Sequence, residues 1–414
     1  MFVQKTTLIG LLLLLPSSVL ALSPISLNAL IERSLSNHPE SRMFEQRRHA
    51  TLSMMASEVF LPSPMIAYEE MTGAGMLGSG LTGMKQTIWE FRQKIPFFPK
   101  TYLSREVLEQ EAQSIAAELT QAQKTRKAKI TTEYFRWLAI KKKLKIKKEE
   151  ELLLAQLIAV QQTRYLSQKV SQVELVALQI ERGNLLTEIT ELESEEKKQQ
   201  ITLEILVGPG ESLGGFEPQD QKLILKPFYA GAPEKVAESL NKNNLELSAA
   251  HAMNKRGQAN VSRSKAAWVP DLELMVSRRE DDLGNKQEGW QVAVEIPLWL
   301  AGEPRARVSQ ARAESQNLET AYMEKKRQLQ LEAQAMVADQ KQLRKQLELM
   351  ENGLVQWSNQ NVKSARIAYQ TGKLEYASFL ALMQSAYQTL ISYEDLKVKV
   401  LDNQEQLQVL MGDT

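Results

Sequence analysis

The residues able to do chemistry are few and scattered. His38, His49 and His251 are too far apart for a recognisable ligand set, and no cysteine can join them. The missing cysteine also removes disulfides, thiolate nucleophiles and iron–sulfur ligation. Methionine crowds one segment, with Met54, Met55, Met65, Met71, Met76 and Met84 close together. Thioethers suit soft ions such as Cu(I) or Ag(I); adaptable apolar filling is the plainer reading. Lys141, Lys142, Lys143, Lys145, Lys147 and Lys148 form a basic run followed at once by Glu149 to Glu151, the pattern of a solvated helix face. Gly208-Pro209-Gly210 and Gly214-Gly215 lack the lysine of a phosphate loop and read as a linker. No nucleophile–base pair, carboxylate dyad or cofactor fingerprint emerges, so the expectation is a non-enzyme with no cofactor and no metal site.

The overall balance agrees. The 414 residues carry 51 Lys+Arg against 50 Asp+Glu, a net charge of +1, which argues against a nucleic-acid partner. Residues 1–21 read as an export signal: Lys5, then an apolar run from Leu8 to Leu15, then Val19 and Ala21 before the cleavage point. No Cys follows that run, so a lipid-anchored amino terminus is not expected. No later stretch is apolar enough for a transmembrane helix.

The elements that would position any function come as a duplicated set. Tyr165 stands as far before Gly208 as Tyr369 stands before Gly412, and Leu175, Ala177 and Leu206 then meet Phe379, Ala381 and Leu410. Lys94-Ile95-Pro96-Phe97 likewise matches Glu295-Ile296-Pro297-Leu298. The reading is a first repeat over 22–207, a linker over 208–233 and a second repeat over 234–414. Proline is absent between Pro99 and Pro209 and again after Pro304, in tracts rich in Ala, Leu, Glu, Gln and Lys. Those tracts predict long helical arms over Tyr102–Ser167 and Arg305–Thr371, each about 100 Å long. Shorter return arms follow over Ser171–Val207 and Glu375–Met411, and single opening helices precede over 26–58 and 234–266.

Two segments per repeat keep a period of two. Leu272, Leu274 and Val276 alternate with polar residues, as do Trp290, Val292, Val294 and Ile296. Strands are expected over about 61–71 and 84–97, then 270–279 and 289–299, with a Gly-rich loop from Thr72 to Gly83. Strands with one apolar face in an exported chain suit a membrane barrel, and the alternative is an ordinary sheet packed on the helices. Four strands cannot close a barrel, and lipid does not tolerate open edges. Three copies would supply twelve strands, enough for a passage. Trp89, Trp290 and Trp299 lie at or near strand ends, where barrels place interface aromatics.

At this point the chain resembles the TolC-like outer membrane factors, also called outer membrane efflux proteins, in size closest to the heavy-metal cation efflux branch. The resemblance rests on the order helix, strand, strand, long helix, helix. Ile296-Pro297-Leu298-Trp299-Leu300 before Gly302, the segment Ala368 to Leu374, and Asn37-His38-Pro39-Glu40 also carry it. It implies a mainly α fold with a small membrane β part: a trimeric twelve-stranded barrel continued by a long periplasmic helical tunnel. It implies the exit duct of a tripartite efflux system in the outer membrane of a Gram-negative bacterium. Partners would be outer membrane lipid, a periplasmic adaptor and an inner membrane pump. A conduit for type I protein secretion, or a soluble coiled-coil scaffold, is the alternative. The resemblance places adaptor docking at the helical tips, Gln168, Lys169, Val170 and Ser171 in one repeat and Gly372, Lys373, Leu374 and Glu375 in the other. Members carry an acidic aperture shortly beyond the tip glycine; here those positions hold Glu174 and Ser378.

Overall fold

The computed structural model describes residues 23–77, 80–167, 171–210, 212–219, 223, 233–281, 283–294 and 302–412. The expected export signal and Trp299 lie outside that set, as do the tip residues Gln168, Lys169 and Val170.

The first repeat opens with a short strand β1 (Ser23–Ile25) and two helices, α1 (Leu27–Asn37) and α2 (Pro39–Ser57). The single opening helix expected over 26–58 is therefore broken. Pro39 cannot continue a helix but suits its first turn, and His38 caps α2 by accepting from the Glu40 amide at 3.2 Å. A hairpin follows, β2 (Met65–Leu77) and β3 (Gly80–Ile95). Both strands run deep into the segment read as a loop. Glycine weakens a strand, yet the register pairs Thr72 with Lys85 and Gly75 with Thr82, so each strand supplies the other's backbone partners along its length. The long arm α3 (Phe98–Leu166) and the return arm α4 (Gln172–Val207) complete the repeat.

The linker carries β4 (Phe216–Pro218), which pairs in parallel with β1. Buried Tyr134 of α3 lies under this pair, its hydroxyl 2.9 Å from the Ile25 carbonyl and 3.0 Å from that of Gln219. The second repeat again opens with two helices, α5 (Pro233–Asn243) and α6 (Leu245–Ala266). Here Asn244 makes the break, its Oδ1 accepting from Leu247 N at 2.7 Å and its amide donating to the Leu410 carbonyl. Strands β5 (Leu272–Asp281) and β6 (Lys286–Val294) form the second hairpin. The long arm is interrupted: α7 (Glu303–Leu349), a π turn at Met350–Leu354, then α8 (Val355–Gln370). The return arm is α9 (Tyr376–Met411).

Packing arranges these pieces as one wall. α3 lies against α2 and α4 on one side and against α6 and α9 on the other, while α7 and α8 lie beyond α6 and α9. Near the tips Leu154, Leu157, Leu178, Leu185, Phe379 and Met383 form one core. Higher up, Leu30, Tyr134, Trp137 and Leu203 form another. The four strands make one antiparallel sheet in the order β2-β3-β5-β6, so β2 and β6 are its edges. Among the described residues no helix is long and apolar enough to cross a membrane.

Candidate channel wall and mouth

The sheet is two-faced. Residues paired across antiparallel strands share a face, so the register puts Ile66, Phe91, Val276 and Trp290 in one row and Leu272 and Val294 in another on the same side. All six are exposed, Trp290 to 82%. Trp89 stands on this face beside Tyr68, ring centroids 4.8 Å apart. The opposite face carries Glu69, Glu90, Arg92, Lys94, Glu273 and Arg279, with Met65 among them; Ile88 is its buried apolar residue. Arg92 pairs with Glu90 at 2.6 Å. Towards the hairpin ends the first face turns charged, with Arg278 opposite Trp89 and with Glu70, Lys85, Glu280 and Glu288, so it presents an apolar band rather than an apolar whole. An exposed apolar band backed by a charge-balanced polar face is what a membrane barrel strand set requires.

At the other end of the wall the hairpins turn. Gly372 adopts φ +73°, the left-handed conformation, and the amides of Gly372 and Lys373 return to the carbonyls of Tyr369 and Ala368 at 3.1 and 2.9 Å. Leu374 and Glu375 then lead into α9, with the Glu375 carbonyl accepting from Phe379. In the first repeat Ser171 caps α4, its hydroxyl accepting from Val173 N at 3.2 Å. Three hydrogen bonds tie the two hairpins just above the turns. Gln161 donates to the Tyr369 hydroxyl, Arg164 to the Gln370 carbonyl at 2.8 Å, and Arg366 to Gln156 at 3.0 Å. The Tyr369 ring stacks on Phe379 at 4.6 Å.

Glu174 and Ser378 each stand in the first turn of a return arm. Sequence reading missed that Glu174 begins a series. Glu181, Glu188 and Glu195 follow at heptad intervals on α4, while the equivalent positions of α9 hold Ser385, Ser392 and Lys399. The spacing was there to read; its meaning needed the neighbours. Glu181 and Glu188 line an open groove of about 470 Å³ over α3, between α4 and α9, with Lys147, Glu150 and Gln384. Gln384 donates to Glu181 at 2.8 Å, and Lys147 lies 2.7 Å from Glu188 and 3.0 Å from Glu150. Burial pushes the Glu150 carboxyl up, against the pull of Lys147. Burial disfavours the Lys147 ammonium too, but the hydrogen bond it donates to Glu188 and the charge of Glu150 outweigh it and its pKa stands above the ordinary value.

The basic run is not a merely solvated face. Lys141 pairs with Glu196 and Glu217, Lys143 with Asp395 and Lys148 with Glu193, so these cations stitch α3 to its neighbours. His251 lies beside Tyr322, apart from His38, and no cluster of three or more metal-ligating His, Cys, Asp or Glu occurs among the described residues. Met54 and Met71 are exposed; the side chains of Met76 and Met84 lie outside the described set.

A duplicated wall of long helices ending in a two-faced sheet defines the class as the TolC-like channel fold. The same fold is seen in CusC, whose crystal structures concern transmembrane channel formation, with TM-score 0.78, 17% identity and 94% and 92% of the two chains covered. The outer-membrane channel OprN gives TM-score 0.80, 16% identity and coverage of 94% and 90%. VceC of Vibrio cholerae gives TM-score 0.77, 16% identity and coverage of 93% and 96%. Residues 236–413 match the family model of the outer membrane efflux proteins. The sequence match thus covers the second repeat, while the likeness in fold extends through both repeats. A search of curated proteins returns no match.

Proposed function

We propose that three copies of the chain close into one channel, the outer membrane component of a tripartite efflux system. Solutes leave through it when an inner membrane pump drives them by way of a periplasmic adaptor. The observation that carries this reading is the coincidence of free edges. Strand β2 with helices α2 and α4 bounds one side of the wall, and β6 with α7 and α8 bounds the other. Joining these edges in a ring pairs the open strands, buries the free helix faces and leaves the apolar sheet face to lipid. Trp89, Trp290 and Trp299 are then membrane-interface aromatics, and the tips from Gln168 to Ser171 and from Gly372 to Glu375 take the adaptor.

The glutamate series favours cationic solutes, metal cations among them. Helices side by side on a cylinder converge on its concave side. The groove shared by α4, α3 and α9 is therefore lumenal, whereas the groove by Lys145 and Glu193, shared by α3 and α4 alone, is external. Rings of carboxylates in a passage select cations.

The protein should extract from outer membranes in detergent as a trimer and conduct in planar bilayers with cations preferred over anions. A monomer that stays soluble without detergent would sink the channel reading.

A further inference from the structure

The duplication indicates which side chains meet where one copy joins the next. Within the chain, α3 of the first repeat packs on α9 of the second. In the trimer proposed above, closing the ring brings α8 of one copy to α4 of its neighbour, the same pairing one repeat further on. In the chain, Leu153 of α3 is 6% exposed and shares a core with Tyr387 of α9. The register that lays Tyr165 on Tyr369 lays Leu153 on Trp357 and Gly183 on Tyr387. Trp357 is 66% exposed, and nothing lies within 4 Å of where a Cβ on Gly183 would stand. The sizes are reversed: leucine and tyrosine share one core inside the chain, whereas the matching positions hold an exposed tryptophan and a glycine.

The surroundings fit this reversal. On α4 the face opposite buried Leu178, Leu185 and Ile189 carries Gly183, Thr187, Thr190 and Ser194, a small-residue stretch flanked by exposed Ile180 and Ile201. On α7 and α8 exposed Leu349 and Trp357 stand about a quarter turn round from buried Ala365, and exposed Ile367 stands opposite it. Counted from their turns, Gly183 and Trp357 stand about 18 and 21 Å up the wall, within one helical turn of each other. Gly353 holds the indole along its helix, since a Cβ there would meet the ring at 3.0 Å. Glycine inside a helix weakens it, and room for a neighbour's indole gives Gly183 its reason.

We propose that Trp357 is the knob of the junction between copies, seated over Gly183 and beside Thr187 of the neighbouring α4, so that the partner of this surface is a second copy of the chain. The proposal rests on the trimeric reading above. The natural lack of cysteine makes it directly testable. In the full-length protein in outer membranes, the pair Gly183→Cys with Trp357→Cys should cross-link on oxidation, and covalent dimer and trimer bands should replace most of the monomer on denaturing gels. Either single variant should stay monomeric on those gels. So should the pair Ile201→Cys with Trp357→Cys, displaced by about 27 Å along the wall. As a second measure, Gly183→Tyr alone should abolish the detergent-resistant trimer. Adding Trp357→Leu, which copies the in-chain pair, should restore it. A native trimer that neither cross-links at 183 and 357 nor responds to Gly183→Tyr would overturn the inference and leave the trimer standing. A native monomer would overturn both.

Discussion

The return arms α4 and α9 are the same helix twice, 36 residues each, yet the chain uses them differently. α9 is enclosed between α3 and α8 and buries Phe379, Met383, Ala386 and Tyr387. α4 packs mainly on α3, buries Leu178, Leu185 and Ile189, and has the other side that the proposed junction would use. At matched heptad positions one carries glutamates and the other serines followed by Lys399. Duplication supplied two equal arms; the difference between them separates interior packing from the proposed junction and lining.

Substitutions at matched positions test that division, beginning with packing. Phe379→Ala should cost about 3–5 kcal/mol, because a fully buried, stacked ring leaves a cavity. The equivalent Leu175→Ala should cost about 1 kcal/mol, since Leu175 is only partly buried. Denaturant unfolding in detergent measures both, and equal losses would erase the contrast. Next comes Tyr387, whose phenol burial pushes up to about 12 from 10.0, with the charges of Glu150 and Glu149 adding to the shift. The folded chain holds that proton more tightly than the unfolded chain does. Its contribution is therefore complete below pH 10 and is lost as pH climbs to about 12, amounting to roughly 2–3 kcal/mol. Tyr387→Phe should flatten that alkaline loss, followed by unfolding against pH. Gly183, its counterpart, has nothing to titrate.

Smaller effects sharpen the picture. Gln161→Leu removes the donor to buried Tyr369 and should cost about 1–2 kcal/mol. It should speed hydrogen exchange around the turns while leaving the sheet unchanged. Last, Glu181→Gln with Glu188→Gln should lower the cation-to-anion permeability ratio several-fold, and Ser385→Glu with Ser392→Glu should raise it, as read from reversal potentials. Ratios indifferent to both pairs would place the glutamates outside the conducting path.

The long helices, the two hairpins and the duplication were legible because each leaves a local trace: missing proline, alternation, or a repeated interval. What escaped depended on partners distant in the chain. Lys143 reads as solvated until Asp395 is seen beside it. The Gly-rich 72–83 stretch reads as a loop until its strands pair with each other. His38-Pro39 marked a break within the opening helix that composition alone smoothed over. The mouth was only half legible: Glu174 stood out by its place after the turn, whereas Glu181 and Glu188 needed α3 and α9 to become a lining.

The π turn at Met350–Leu354 has a consequence for phase. A straight helix drifts by about 20° per heptad against a neighbour that repeats every seven residues, so a seam held over a long arm slides off its face. A π turn uses about one more residue per turn than an α turn, so Leu349 and Trp357, eight positions apart, end up about two whole turns apart and in line. The turn works as a vernier. It resets the angular count of the lower arm against the upper one, and lets a wall about 100 Å tall present one continuous edge.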